Sequence, residues 1–334
     1  MIEKIADTEN LYLAFKKACR GKRRKKEVRA FCDNFDANIA RLRWQILTGN
    51  VDVGRYHYFT IKDPKERLIC AASFQERVLH HAIMNVCHEC FDRRLISDTY
   101  ATRPGKGIYA ALEKACRAAA KYRYIVKLDF RKYYDSITHD TLKEKLADMF
   151  KDPGLLSIFG RIIDSYHGDS GYGLPIGNLT SQYFANIYLS GLDHWAKEKL
   201  RLPVYIRYMD DILIAGSDKD DLLNCARKLS GYADKELGLV LKPPECNMST
   251  VGIIFLGYRV LPGHLSLSGR SKRRFRTKLL KYERYLDDGY WTEQDYAEHI
   301  LPLLAFTGHA DSAAFRCSCM EIIEGNGREV GPTA

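Results

Sequence analysis

The sequence predicts an α+β fold, a β-sheet with helices packed on one face. Three observations predict it. Between residues 122 and 237, β-prone runs alternate with runs of helical periodicity in the order strand, helix, strand, strand, helix. The runs YRYIVKLDF (122–130) and PVYIRYMDDILIAGS (203–217) are rich in aromatic and β-branched residues, as buried strands are. No internal repeat or low-complexity segment interrupts this alternation.

Composition sets the limits. The 334 residues are 46% hydrophobic and 28% charged, which suits a globular chain of two or three domains and excludes a fibrous or disordered one. No apolar run approaches the ~18 residues a membrane span needs. The start, MIEKIADTEN, lacks the apolar core of a secretory signal, and ten scattered cysteines suit reduced thiols, so a cytoplasmic location is expected. The net charge of +10 hints at a polyanionic partner.

Taken in order, the N-terminal elements are helical. Leu11, Phe15 and Ala18, then Val28, Phe31 and Phe35, recur at helical spacing on either side of GKRRKKEVR. That basic run is either a solvated helical face or a phosphate-contacting arm carrying Lys22, Arg23, Arg24 and Lys25. RYHYFTIKD (55–63) reads as a strand ended by Pro64, and the DPKE stretch as a hairpin-type turn. Ala72–Cys90 reads as a helix with apolar positions at Val78, Ile83, Val86 and Cys90, and 106–121 as a second one entered through a glycine-rich loop. Helices follow over 138–150, with Thr138 as cap, over 179–200 as one long element, and over 219–237. LVLK (239–242) and GIIFLGYRVL (252–261) add short strands. GRSKRRFRTKLLKYER (269–284) carries eight basic residues and one acid, with Phe275, Leu279 and Tyr282 at helical spacing.

The chemistry gathers at carboxylates. Asp210 and Asp211 sit in YIRYMDDILIA, between two apolar strands, and Asp129 ends the strand VKLDF. A bare Asp-Asp pair also suits a turn facing water. Buried side by side, however, two carboxylates cost several kcal/mol unless paired or metal-bound. Three carboxylates converging from neighbouring strands hold two divalent ions about 3.5–4 Å apart, an arrangement that activates a 3′-hydroxyl and stabilises a leaving pyrophosphate. Hard oxygen ligands and phosphate substrates favour magnesium.

The ordered segments LDFRKYYDSI (128–137), GLPIGNLTSQYFAN (173–186), YMDD (208–211), LGLVLKPPECNMS (237–249) and GIIFLGYRV (252–260) resemble the palm motifs of reverse transcriptases, and IKDPKERLI…QERVLHHAI (61–83) resembles the fingers of the bacterial ones. The resemblance implies a right-hand polymerase: a palm with a ferredoxin-like antiparallel sheet, fingers and a helical thumb. The expected division is 1–105 for the basic arm and fingers, 106–262 for the palm with interleaved fingers elements, and 263–334 for the thumb and tail. Ile176-Gly177-Asn178-Leu179-Thr180-Ser181-Gln182 departs from the usual QGxxxSP pattern and is similar to the reverse transcriptases of diversity-generating retroelements. Gly308-His309-Ala310 in a short C-terminal region is similar too. Such enzymes copy a template-repeat RNA into cDNA with errors opposite template adenines, and act with a small accessory protein. Retron-type, group II intron-type and antiphage reverse transcriptases share the chemistry with another template. A non-catalytic RNA-binding protein on a decayed palm is the reading from outside the class.

The resemblance assigns residues as well. Asp129, Asp210 and Asp211 bind two Mg2+ ions, helped by the Phe130 carbonyl. Tyr134 is the steric gate that excludes a 2′-hydroxyl, or else a packed core tyrosine. Lys62 (with Lys65 as its alternative), Arg67 and Arg77 clamp the triphosphate of an incoming dNTP, with Ile176 and Gly177 beside it. Ile176 relaxes selection of the incoming base or merely fills a gap. Arg270, Lys272, Arg273, Arg274 and Arg276 track the backbone of template RNA, primer or RNA–DNA hybrid, or else form a solvated face. Cys87-His88-Glu89-Cys90 has helical spacing and no second pair to complete a zinc site, so these cysteines are expected to pack on a helix.

Overall fold

A computed structural model describes residues 1–62, 66–166 and 171–327, with side chains as far as residue 321. Residues 63–65, which hold most of the expected DPKE turn, Pro64 and Lys65, lie outside the described residues. The chain divides into two compact units. The first comprises Met1–Pro104, Asp129–Arg201 and Arg227–Lys242; the second comprises Gly105–Leu128, Leu202–Ala226 and Pro243–Ala334.

The first unit opens with helices α1 (Ile2–Ile5), α2 (Thr8–Cys19), α3 (Lys26–Asp33) and α4 (Phe35–Leu47). Asp7 caps α2 by accepting from the Glu9 and Asn10 amides, satisfying donors that a helix start leaves unpaired. Leu11, Ala14 and Ala18 of α2 and Val28 and Phe31 of α3 are buried, so the basic run is the loop and first turn joining two packed helices. Strands β1 (His57–Lys62) and β2 (Glu66–Ala71) form an antiparallel hairpin. Helix α5 (Phe74–Arg94) begins two residues later than the expected Ala72, capped by Ser73, whose hydroxyl accepts from Glu76 N. Its buried ridge runs through Val78, Leu79, Ala82, Ile83, Cys87 and Phe91; Val86 and Cys90 are only partly buried.

Helix α6 (Ile108–Lys121) and strand β3 (Tyr124–Asp129) follow, then α7 (Tyr133–Ser136), α8 (His139–Met149), α9 (Pro153–Asp164), α10 (Leu179–Tyr188) and α11 (Ser190–Glu198). Thr138 occupies the N-cap of α8 but makes no side-chain cap bond; its hydroxyl lies 3.0 Å from the Tyr188 hydroxyl instead. The helix expected over 179–200 is interrupted at Leu189, whose ψ of −3° leaves the helical ladder. Nothing at that position breaks a helix by itself. Two residues on, a Cβ at Gly191 would meet Tyr232 Oη at 2.9 Å, so α11 approaches its neighbour more closely than a side chain permits. Phe91, Phe150, Phe159, Tyr183 and Phe184 form an aromatic core with centroids 5.3–6.3 Å apart.

In the second unit β4 (Val204–Tyr208), β5 (Asp211–Gly216), β3 and β6 (Glu245–Met248) form one sheet in the order β4-β5-β3-β6. With β3 as the first strand in sequence, this is the order of the split βαβ, ferredoxin-like arrangement. Strands β3, β4 and β5 are buried along most of their length, which explains their largely apolar character. Helix α6 packs against β4 and β5. Helix α12 (Lys219–Leu237) gives its first half to this unit and its second to the first unit. The strand expected at LVLK reduces to one bridge, Phe130 with Leu241, because Pro243 and Pro244 supply no amide to continue a ladder.

Strands β7 (Ile253–Phe255), β8 (Tyr258–Leu261) and β9 (His264–Leu267) make a second sheet. Helices α13 (Gly269–Asp287), α14 (Glu293–Gly308) and α15 (Ala313–Gly327) complete the unit. Phe275 and Leu279 of α13 pack with Ile300 and Cys319, and Tyr296 joins this cluster. Trp291 stacks on His299 with centroids 4.2 Å apart. No helix among the described residues is long and apolar enough to cross a membrane.

Candidate active site

Asp129 is the last residue of β3, partly buried, with its carboxylate paired to the Lys242 ammonium. The Lys242 amide also donates to the Asp129 carbonyl at 2.9 Å, and the Arg131 amide to the Val240 carbonyl at 2.8 Å. The backbone on both sides of Phe130 is therefore tied to 240–242. Phe130 itself is buried, its ring 5.5 Å from that of Tyr133.

Tyr208 pairs with Asp211 at the end of the β4–β5 hairpin, leaving Met209 and Asp210 as the two turn residues. Met209 has φ 52°, a left-handed conformation that costs a residue with a Cβ. Arg207 Nη1 donates to the Met209 carbonyl at 3.0 Å. Asp211 opens β5 and lies 3.8 Å from Lys127 Nζ of β3, the strand beside β5 in the sheet. Lys127 and Asp129 are two residues apart on one strand and so share a face. Among the described residues, no three or more His, Cys, Asp or Glu side chains form a metal-ligand group. Asp129 and Asp211 face lysines instead.

Tyr134 lies in α7, partly buried, edge-on to Tyr133 at 5.7 Å, and its carbonyl accepts from the Leu174 amide. The Ile176 carbonyl accepts from the Cys70 amide of β2 at 2.8 Å. Gly177 has φ 117°, and a Cβ there would lie 3.0 Å from Ile69 Cγ2, so only glycine fits between loop and strand. Asn178 and Thr180, at the start of α10, are buried with the Asn178 amide nitrogen and Thr180 hydroxyl unpartnered.

The register of the hairpin separates two of the candidate triphosphate ligands. Lys62 pairs with Glu66 and Arg67 with Ile61, so Lys62 and Arg67 point to opposite faces. Arg67 shares its face with Ile69, the residue that meets Gly177. Lys62 lies 3.8 Å from Glu66. Arg77 is on α5 rather than the hairpin, its guanidinium 2.6 Å from Glu27 and over the Phe74 ring.

The basic residues differ in setting. Arg23, Arg24 and Lys25 are exposed, whereas Lys22 is partly buried, and burial with the nearby Arg77 and Lys25 charges lowers its pKa. On α13, Arg270, Lys272, Arg273, Arg274 and Arg276 are all exposed, and Lys272 and Arg276 also lie over the Phe315 ring at 5.5 and 5.2 Å. Cys87 is fully buried on α5 and burial pushes its thiol up to about 12, so it packs as an apolar group.

Sequence reasoning missed three residues around the acids: Lys127, Arg207 and Lys242. Arg207 had a signal, since a charged residue inside the apolar run VYIRY demands an explanation. Lys242 and Lys127 had none, because lysines beside a strand end look like solvated ones.

A family profile described as reverse transcriptase (RNA-dependent DNA polymerase) matches residues 61–260. Among curated proteins, the chain is 19% identical over 174 residues to the COX1/OXI3 intron 1 protein of Saccharomyces cerevisiae, covering 49% of this chain and 21% of that protein. It is 20% identical over 253 residues to the intron 2 protein of the same yeast, covering 56% and 29%. The chain thus spans less than a third of the length of these relatives. Among solved structures, apo telomerase from Candida tropicalis gives a TM-score of 0.48 at 14% identity, covering 64% of this chain and 48% of that one. Telomerase from Candida albicans with a fragment of telomeric RNA gives 0.45 at 11% identity, covering 79% and 54%. The profile takes in well over half of the sequence, including the acid-bearing strand and the hairpin with its Asp-Asp turn, and by that match the chain belongs to the reverse transcriptase family.

Proposed function

We propose that this chain is an RNA-directed DNA polymerase that extends a primer on an RNA template with dNTPs. One observation carries the reading: Asp129 at the end of β3 and the Asp210–Asp211 turn beginning β5 belong to adjacent strands of a sheet in ferredoxin-like order. Lys127 of β3 reaches Asp211 of β5 across those strands, at 3.8 Å.

The donor set fits magnesium: three carboxylates and the Phe130 carbonyl, all hard oxygens, with the Lys127 ammonium beside Asp211 and the Lys242 ammonium beside Asp129. Bound there, two such ions would activate the primer 3′-hydroxyl and offset charge on the leaving pyrophosphate. Tyr134, held by its own helix and by Leu174, closes the sugar side of the dNTP site. Arg67, on the hairpin face that meets Gly177, is better placed for the triphosphate than Lys62. Arg77 supports the N-terminal helices through Glu27. Arg23, Arg24, Lys25, Arg270, Arg273 and Arg274 supply positive charge to the template–primer backbone.

The finer proposal is a diversity-generating retroelement enzyme, resting on Ile176 and Gln182 in the IGxxxSQ segment, with an accessory protein as partner. The second reading, an intron-type enzyme, draws support from the yeast intron proteins among the relatives. Flanking DNA with paired repeats that differ at adenines decides for the first; an enclosing intron decides for the second.

The test of the activity is dNTP incorporation on a primed RNA. The wild-type chain extends the primer and Asp129→Asn does not. Extension by Asp129→Asn at the wild-type rate would overturn the assignment.

A further inference from the structure

Among the described residues, Arg207 is the largest fully buried side chain, at 0% exposure. A guanidinium stays charged at any accessible pH, so a buried one persists only where its donors are used. Of these donors, Nη1 donates to the carbonyl of Met209, two residues along the chain. Met209 is the first of the two turn residues and holds φ 52° without being glycine. A strained residue of this kind persists when its surroundings hold it there.

The register defines what the bond controls. Arg207 pairs with Ile212, and Tyr208 with Asp211, so Arg207 lies on the strand face opposite Asp211 and reaches the turn from behind. In a two-residue turn, fixing the Met209 carbonyl fixes the peptide plane that leads into Asp210. The direction of both carboxylates follows from that plane.

We propose that Arg207 is a positioning residue for the Asp210–Asp211 turn, clamping the Met209 carbonyl so that the left-handed turn is retained and both acids stay aimed. The inference rests on the polymerase reading for its catalytic consequence, although the clamp itself does not. Glycine occupies positive φ without help. Met209→Gly therefore relieves the need for the clamp.

The experiment is a double-mutant cycle on the full chain with Arg207→Gln, Met209→Gly and the pair, read by Tm, Mn2+ binding by electron paramagnetic resonance, and single-nucleotide incorporation. Arg207→Gln lowers kcat by about a hundredfold, the cost of a small misplacement of catalytic groups. KM for dNTP changes far less, and Mn2+ binding weakens. Met209→Gly raises Tm and Mn2+ affinity more in the Arg207→Gln background than in wild type, and recovers part of kcat. Equal effects of Met209→Gly in both backgrounds overturn the inference, as do wild-type kcat and Mn2+ affinity in Arg207→Gln. If Arg207→Gln does not fold, the same cycle with Arg207→Lys decides by the same criteria. A wild-type chain without incorporation activity overturns the polymerase reading, and the Tm cycle still judges the clamp.

Discussion

Ile176 stands where the usual family pattern has a glutamine, and its carbonyl is committed to the Cys70 amide. The backbone there is pinned while the side chain offers no hydrogen bond, so if Ile176 lies beside the incoming pair, as proposed, a polar constraint on that pair is missing. Restoring it with Ile176→Gln lowers misincorporation opposite template adenines, scored by sequencing products from an adenine-rich template; an unchanged error spectrum would refute this role. Gly177 makes a sharper structural claim. At φ 117° with Ile69 Cγ2 3.0 Å from a would-be Cβ, Gly177→Ala costs about 1–3 kcal/mol of stability by urea denaturation. Both residues were legible in the sequence as a segment, but the contact of the segment with β2 was not, since pairing partners far apart in sequence leave no local trace.

Helix α5 carries a buried acid and a buried imidazole one turn apart, Glu76 and His80, with Nε2 3.6 Å from Oε1. Burial pushes the Glu76 carboxyl up to about 7 and the His80 ring down to about 3. The two act oppositely on stability. Glu76 keeps its proton longer in the folded chain, so its contribution is present below its unfolded value near 4.5 and is lost as pH rises toward 7. His80 resists protonation when folded, so its contribution is present above 6.5 and is lost as pH falls toward 3. Their slopes oppose each other between 4.5 and 6.5. Glu76→Gln removes one of them, and urea midpoints of that variant rise more steeply over this window than those of wild type; parallel curves would contradict the account.

Arg273 and Arg276 of helix α13 are both exposed, and Arg276 also lies over the Phe315 ring. Arg273→Ala lowers the slope of log K against log salt for nucleic-acid binding by about 0.7–0.9 and leaves Tm unchanged. Arg276→Ala lowers Tm as well. The apolar spacing of Phe275 and Leu279 announced this helix, but the spacing of the basic residues did not reveal which of them pack on a neighbour.

At the scale of the molecule, the strand and helix order in the sequence was enough for an α+β sheet with helices on one face, because a buried strand and an amphipathic helix each leave a distinct period. The ferredoxin-like order of that sheet was implied by the family resemblance. The short strands β6 and β9 and the interruption at Leu189 escaped because tertiary contacts create them. The acids were legible as motifs and their lysine and arginine partners were not. The charge of +10 resolves into two basic segments, 1–30 and 269–284, around a slightly acidic remainder that includes the proposed metal site. The central claim is that Asp129, Asp210 and Asp211 act together to join dNTPs on an RNA template. Single-nucleotide incorporation into a primed RNA, measured in Mg2+ for wild type and Asp210→Asn at matched Tm, tests it most directly. The account predicts incorporation by wild type and none by Asp210→Asn; incorporation by Asp210→Asn at the wild-type rate would contradict it.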